Sequence, residues 1–279
     1  MTLDEQINKD LTELYNGKEL SGAKSLASLI SVSTKGLPQH FVGNRDAKTV
    51  FVMLNPGSNT EGAEKELAKR KKTYDCTSAE AFIESYVREM CDFGKIHRID
   101  NPSDPFDVKQ AAFLKPWKDS GITLPDAFPQ DKEMFADAKE AVLTQKLQLE
   151  FIPYASNKFN PKSRDIKENI AQLVPFVETL LEEIFRKERT NVIFGYGKFY
   201  NVFKAYNKAK GSNIIDMSAK EVKSDKLKSY AGRCRVITLN WNGKKQKALI
   251  AHTFACQSLQ NAPDLMQKYG KFCYEQFAK

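Results

Sequence analysis

The sequence predicts an α/β fold, three layers in α/β/α order around a central, mainly parallel sheet. Two observations carry this. The apolar run at Thr49–Leu54 is continuous rather than alternating, as in a strand covered on both faces, and further strands read at Leu147–Ile152 and Asn191–Phe194. Long stretches with helical spacing separate them, and strand–helix–strand order argues for a parallel sheet.

From the N-terminus, spaced Leu and Ile predict a helix over Leu11 to Val32, followed by a turn near Gly36 and Pro38. The first strand ends abruptly at Asn55-Pro56-Gly57. Thr77 and Glu80 have capping-box spacing, and Phe82, Ile83, Tyr86, Val87 and Met90 mark one helical face. Shorter helices are expected over Asp107–Leu114 and Lys132–Leu143. The stretch around 60–145 reads as a helical insertion or as the crossover of a parallel sheet. After the second strand, a helical pattern runs from Ile166 to Phe185, where Pro175 either kinks or restarts it. The third strand ends at Gly195-Tyr196-Gly197. A Lys-rich region spans Lys198 to Lys228. A hairpin follows, with arms Arg235–Leu239 and Lys247–Ala251 and its turn at Asn242-Gly243. A last helix starts near Pro263.

The 279 residues are expected to form a single domain spanning 1–279. Apolar residues make up 41% and charged residues 28%, and mean hydropathy is −0.50, an ordinary globular balance. No apolar run approaches the roughly 20 residues that span a bilayer. The first ten residues show no signal-peptide core. A cytoplasmic monomer without membrane contact is expected. The five cysteines are widely spaced, so neither a zinc site nor a disulfide framework is read from them. Cys91 and Cys273 fall on apolar helical stripes, where burial is expected. The net charge of +8 favours polyanionic partners.

Polar groups collect at three strand ends: Asn55-Pro56-Gly57, Glu150 to Tyr154, and His252-Thr253-Phe254. Ligands of open parallel sheets bind beyond the carboxyl ends of the strands. If these strands are neighbours, the three segments converge.

In this order the segments resemble the uracil-DNA glycosylase superfamily. VFVMLNPG (Val50 to Gly57) is similar to its first motif, most closely to the mismatch-specific and single-strand-selective branches. FIPYAS (Phe151 to Ser156) resembles the second motif. VIFGYG (Val192 to Gly197) resembles the central strand with its following glycine, and IAHTF (Ile250 to Phe254) the last motif. The resemblance implies hydrolysis of a base–deoxyribose bond on a flipped or single-stranded base. Asn55 would hold the water and His252 would donate to the departing base. Gly57, Glu150, Tyr154 and Phe254 would touch the base, with Tyr154 or Phe254 stacking on it. DNA, or a nucleotide or base, is the implied ligand, and the chemistry requires no metal or other cofactor.

This chain departs from the pattern at two places. The base-reading Asn is replaced by Glu150, which when ionised only accepts hydrogen bonds. It would then favour an edge of N–H donors over uracil, or serve as an acid or base itself. The Pro-Ser that follows the family's His is absent, and Leu259 is the candidate for the wedge into DNA. The same residues also read plainly: Asn-Pro-Gly as a turn, His252 as a strand-end histidine satisfied by a carbonyl, and Glu150 as a solvent-facing edge residue. Gly195-Tyr196-Gly197-Lys198 lacks a full phosphate-loop pattern and reads as a tight turn. The lysines from Lys198 to Lys228, interleaved with Phe199, Tyr200, Phe203, Tyr206 and Tyr230, suit either nucleic acid or solvent. His40 and His97 receive no role. The alternative to an enzyme is a nucleic-acid- or base-binding protein of the same fold. An unrelated small-molecule hydrolase, with Asn55, Glu150 and His252 as an acid–base cluster, lacks a nucleophile elbow or Cys–His pattern.

Overall fold

The computed structural model describes residues 1–57, 60–102, 104–124, 132–156, 161–225, 227, 232–252 and 263–279. The strands are β1 (Phe41–Gly43), β2 (Thr49–Met53), β3 (Leu147–Glu150), β4 (Asn191–Phe194), β5 (Val222–Lys223), β6 (Arg233–Trp241) and β7 (Lys244–Ala251). They form one sheet in the order β1-β3-β2-β4-β7-β6-β5. The central four, β3, β2, β4 and β7, run parallel. The flanking strands are antiparallel.

Eleven helices are described: α1 (Leu3–Tyr15), α2 (Ser21–Lys24), α3 (Thr60–Arg70), α4 (Ala79–Cys91), α5 (Phe93–Ile96), α6 (Pro105–Leu114), α7 (Lys132–Gln145), α8 (Ser163–Glu168), α9 (Ile170–Phe185), α10 (Lys198–Lys210) and α11 (Pro263–Phe277). Because side chains alternate across a strand, each central strand feeds two cores. Val50, Val52, Leu149, Val192, Phe194 and Ile250 join the core containing α1, α9 and α10. Phe51, Met53, Ile193, Leu249 and Ala251 join the core beneath α6 and α11. The architecture is therefore a three-layer α/β/α sandwich. Residues 60–145 carry the crossover from β2 to its parallel neighbour β3, the second of the two readings of that stretch. The next crossover, through α8 and α9, returns to β4 on the other side of β2. The strand order thus reverses at β2, and the crevice outside its carboxyl end is the expected ligand site.

Several boundaries differ from expectation. The first helix is Leu3–Tyr15, not Leu11–Val32: Thr2 and Glu5 form a reciprocal capping box at its start. Gly17, at φ +70, turns the chain beyond its end. Ser78 rather than Thr77 caps α4, accepting from the Ala81 amide at 3.1 Å. The pattern from Ile166 divides at Asn169, while Pro175 lies inside α9. Cys273 is buried as expected, whereas Cys91 is only half-buried. The hairpin turn is Asn242-Gly243 with φ +48 and +76, a type I′ geometry.

Candidate active site

The second face of the sheet is not apolar throughout. Where β2, β4 and β7 present apolar side chains toward α6 and α11, Lys146 and β3 present Lys146, Gln148 and Glu150. These alternate with Leu147, Leu149 and Phe151, which enter the opposite core. All three polar residues are buried. Above this row lies a cleft of about 770 Å³, within the range of small-molecule sites. Asn55, Pro56 and Gly57 line it from the end of β2, Gln148 and Glu150 from β3, and Tyr196 from the turn after β4.

Asn55 is half-buried, and its Nδ2 donates to the carbonyls of Pro56 at 2.9 Å and Ser156 at 3.1 Å. With its amide hydrogens directed at main chain, the side chain offers Oδ1, an acceptor suited to water or a hydroxyl. Gly57 is exposed at the mouth, and a Cβ there would meet nothing. The short β2 and the abrupt Asn-Pro-Gly leave these groups at the crevice.

Glu150 is only 8% exposed, which excludes the solvent-facing edge reading. Gln148 Nε2 donates to its Oε1 at 2.7 Å, and its Oε2 has no partner among the described residues. Burial pushes its carboxyl up to about 8, against the pull of the Gln148 hydrogen bond and the Lys146 charge. Burial thus favours the neutral acid, which can donate as well as accept. Burial in turn brings Lys146 down to about 8. Tyr196 is raised to about 12, first by burial and then by the nearby Glu150.

Tyr154 does not line the cleft. Its ring is 1% exposed, packs edge-on to Phe176 and sends its hydroxyl to Asp10 Oδ2 at 2.9 Å. Asp10 also meets His40 Nε2 at 3.0 Å, and His40 Nδ1 lies 3.1 Å from the Tyr86 hydroxyl. Tyr154 therefore belongs to a core network and not to the cleft. Tyr196, Phe93 and Phe106 line the cleft. Phe254, together with Thr253 and Leu259, lies outside the described residues.

His252 sits at the end of β7, on the same sheet edge as Asn55 but with β4 between them. The strands are thus two spacings apart, about 10 Å. Its amide donates to the Tyr269 hydroxyl at 2.9 Å. Its Nε2 lies 3.5 Å from Glu221 Oε2 and has no hydrogen-bond partner among the described residues. Burial lowers its pKa, Glu221 raises it and Arg235 and Arg233 lower it, so at pH 7 the ring is neutral and carries one N–H. The ring lies against Gly197, where a Cβ would come within 2.5 Å of it. His252 flanks the Gly195-Tyr196-Gly197 turn, and Tyr196 borders the cleft on the other side. The structure thus joins Asn55, Gly57 and Glu150 in one cleft and places His252 next to it.

Sequence reasoning missed Gln148, Lys146 and Arg70. The first two were signalled by polar residues at every second position of a strand otherwise apolar. Arg70 lines the cleft from α3, with Nη2 2.6 Å from Glu66 Oε1 and 2.8 Å from Glu89 Oε1. His97 Nε2 meets the same Glu89 oxygen at 2.8 Å. Nothing in a linear reading connects these residues, which lie on α3, α4 and the turn after α5. The chain matches no family model, no curated protein and no solved structure.

Proposed function

We propose that the chain is a hydrolase of base–deoxyribose bonds that takes a flipped or single-stranded base into the cleft, in the manner of the uracil-DNA glycosylases its strand-end motifs resemble. The observation that carries this reading is the meeting of Asn55 and the buried Glu150 in one cleft at the strand-order reversal. Asn55 Oδ1 accepts from a water below the sugar. The water oxygen bonds to C1′ as the C1′–N bond breaks, and the bonding pair leaves with the base. The departing base is stabilised by preorganised donors, for which Glu150 and the neutral His252 ring are available. The attacking water gives up a proton, and the base anion takes one from solvent. The net charge of +8 suits the phosphate backbone.

The decisive assay uses oligonucleotides carrying uracil, hypoxanthine, xanthine or a damaged pyrimidine, single- and double-stranded. Abasic sites are expected with at least one base. Asn55→Ala should slow their formation about a hundredfold or more in a chain that still folds, the two lost bonds to the Pro56 and Ser156 carbonyls lowering its melting temperature only modestly. Absence of abasic sites with every substrate overturns the hydrolase.

A second reading, binding without cleavage, is favoured by the position of His252 beside rather than in the cleft. It predicts binding that weakens steeply with salt and no abasic product.

A further inference from the structure

On the reading that the cleft takes a nucleobase, we propose that Glu150, its proton directed to Oε2 by the Gln148 amide that Lys146 orients, donates a hydrogen bond to a carbonyl oxygen of that base, selecting a keto edge over an amino edge. The direction of each bond follows from the inventory of donors. Lys146 Nζ donates to Gln148 Oε1 at 2.8 Å, and Gln110 Nε2 donates to the same oxygen at 3.0 Å. An ammonium can only donate. The oxygen of Gln148 is therefore fixed on the side of Lys146, and its amide nitrogen must face Glu150, where it donates to Oε1 at 2.7 Å. Oε1 is thus an acceptor, and the proton of the neutral acid resides on Oε2. That oxygen is buried and unpartnered among the described residues, on a side chain that borders the cleft. A buried donor left unpaired is costly, and a ligand carbonyl removes that cost.

Burial, not a neighbouring charge, favours the neutral acid. Tyr196 approaches from the turn after β4. Met53 is the partner of Glu150 on β2. Asp107 on α6, raised to about 6 mainly by burial, interacts with Lys146 rather than with Glu150. From the β1 side, the His40 carbonyl accepts from the Glu150 amide at 3.1 Å, while the His40 ring is bound to Asp10 and Tyr86. Elsewhere in the cleft, Arg70 is paired with Glu66, and Asp104 caps α6 through the Phe106 amide.

Hypoxanthine presents a carbonyl at C6 beside an N–H at N1, where adenine presents an amino group beside an unprotonated N1. Their binding is to be measured by calorimetry at pH 6.5 and pH 9. Hypoxanthine should bind the wild type on the order of tenfold more tightly than adenine at pH 6.5. Its affinity should fall about tenfold by pH 9, because one unit above the Glu150 pKa leaves about a tenth of the acid protonated. In Glu150→Gln, Gln148 still donates to the side-chain oxygen, which puts the new amide nitrogen where Oε2 was. This variant should hold hypoxanthine at pH 9 as the wild type does not, and the comparison cancels any titration of the base itself. Lys146→Met removes the cation that draws the acid down, so the pH midpoint of binding should rise. A lysine that merely packs would lower stability and leave that midpoint in place. Identical pH responses of wild type and Glu150→Gln, or a preference for adenine, overturn the donor assignment while the nucleobase reading stands. Failure of the folded wild type to bind either base removes the nucleobase reading, and this inference with it.

Discussion

Two buried polar clusters lie on opposite sides of β3, and they differ in completeness. On the α1 side, Asp10 receives both His40 and Tyr154, and Tyr86 closes the network on His40. On the other side, Lys146, Gln148 and Glu150 form a directed row that ends, beside a cleft, in an oxygen without a partner among the described residues. A closed network fixes the packing of a core. An open one beside a cavity is a feature that folding alone does not explain. Residue type does not separate the two, since a carboxylate, aromatic hydroxyls and a histidine form the inert cluster.

The largest expected effect tests the closed side. Asp10→Ala leaves His40 and Tyr154 buried without their acceptor, and should cost about 3–5 kcal/mol of stability by urea denaturation. Base binding per folded molecule should be unchanged. A loss of binding without a loss of stability would erase the contrast between the clusters.

The open side should respond with the opposite sign. The Glu150 pKa is raised from 4.5 to about 8. The stability this group contributes is therefore fully present below pH 4.5, declines as pH rises toward 8 and is constant beyond. Lys146, lowered from 10.5 to about 8, costs stability below pH 8 and is relieved between 8 and 10.5. Glu150→Gln, which cannot ionise, should match the wild type near pH 4.5 and exceed it by on the order of 3 kcal/mol at pH 8. Paired urea midpoints across that window measure the difference. A difference that does not grow with pH would mean that Glu150 is ionised in the folded chain.

How much of this was legible beforehand follows the same division. β2 and β4 were visible because burial on both faces demands apolar runs, and Asn191–Phe194 was bounded to the residue. The turn at Asn242-Gly243 was visible because its geometry demands those residue types. Asn55 was legible as the polar residue ending such a run, and Glu150 as a carboxylate among the apolar residues of β3. The protonation of Glu150 was not, because it depends on burial by elements distant in sequence. Nor was the role of Tyr154: its position at a strand end suggested a site, but its acceptor is Asp10 on α1. The helix starting at Leu3 carries two signals in its sequence, the capping spacing of Thr2 and Glu5 and an apolar stripe of Leu3, Ile7, Leu11 and Leu14.

A smaller effect concerns the neighbour of the cleft. Gly197→Ala places a Cβ within 2.5 Å of the His252 ring, so ring or turn must shift. The expected cost is about 1–3 kcal/mol in thermal unfolding. If His252 assists the departing base, this variant should reduce abasic-site formation more than it reduces base binding. Equal loss of both would make Gly197 a determinant of cleft shape alone.

The smallest effect lies at the far end of the sheet, where β6 turns into β7. Asn242 has a left-handed backbone and also donates from Nδ2 to Glu182 Oε1 at 3.2 Å, beside the Trp241 indole at 3.0 Å. Asn242→Ala meets both the steric penalty of a left-handed residue, about 1–2 kcal/mol, and the loss of an exposed hydrogen bond. Asn242→Gly meets only the second, because glycine adopts this conformation freely. Alanine should therefore lower the melting temperature by several degrees and glycine by little, with cleft binding intact in both. Equal losses would assign the turn's stability to Glu182 rather than to backbone geometry.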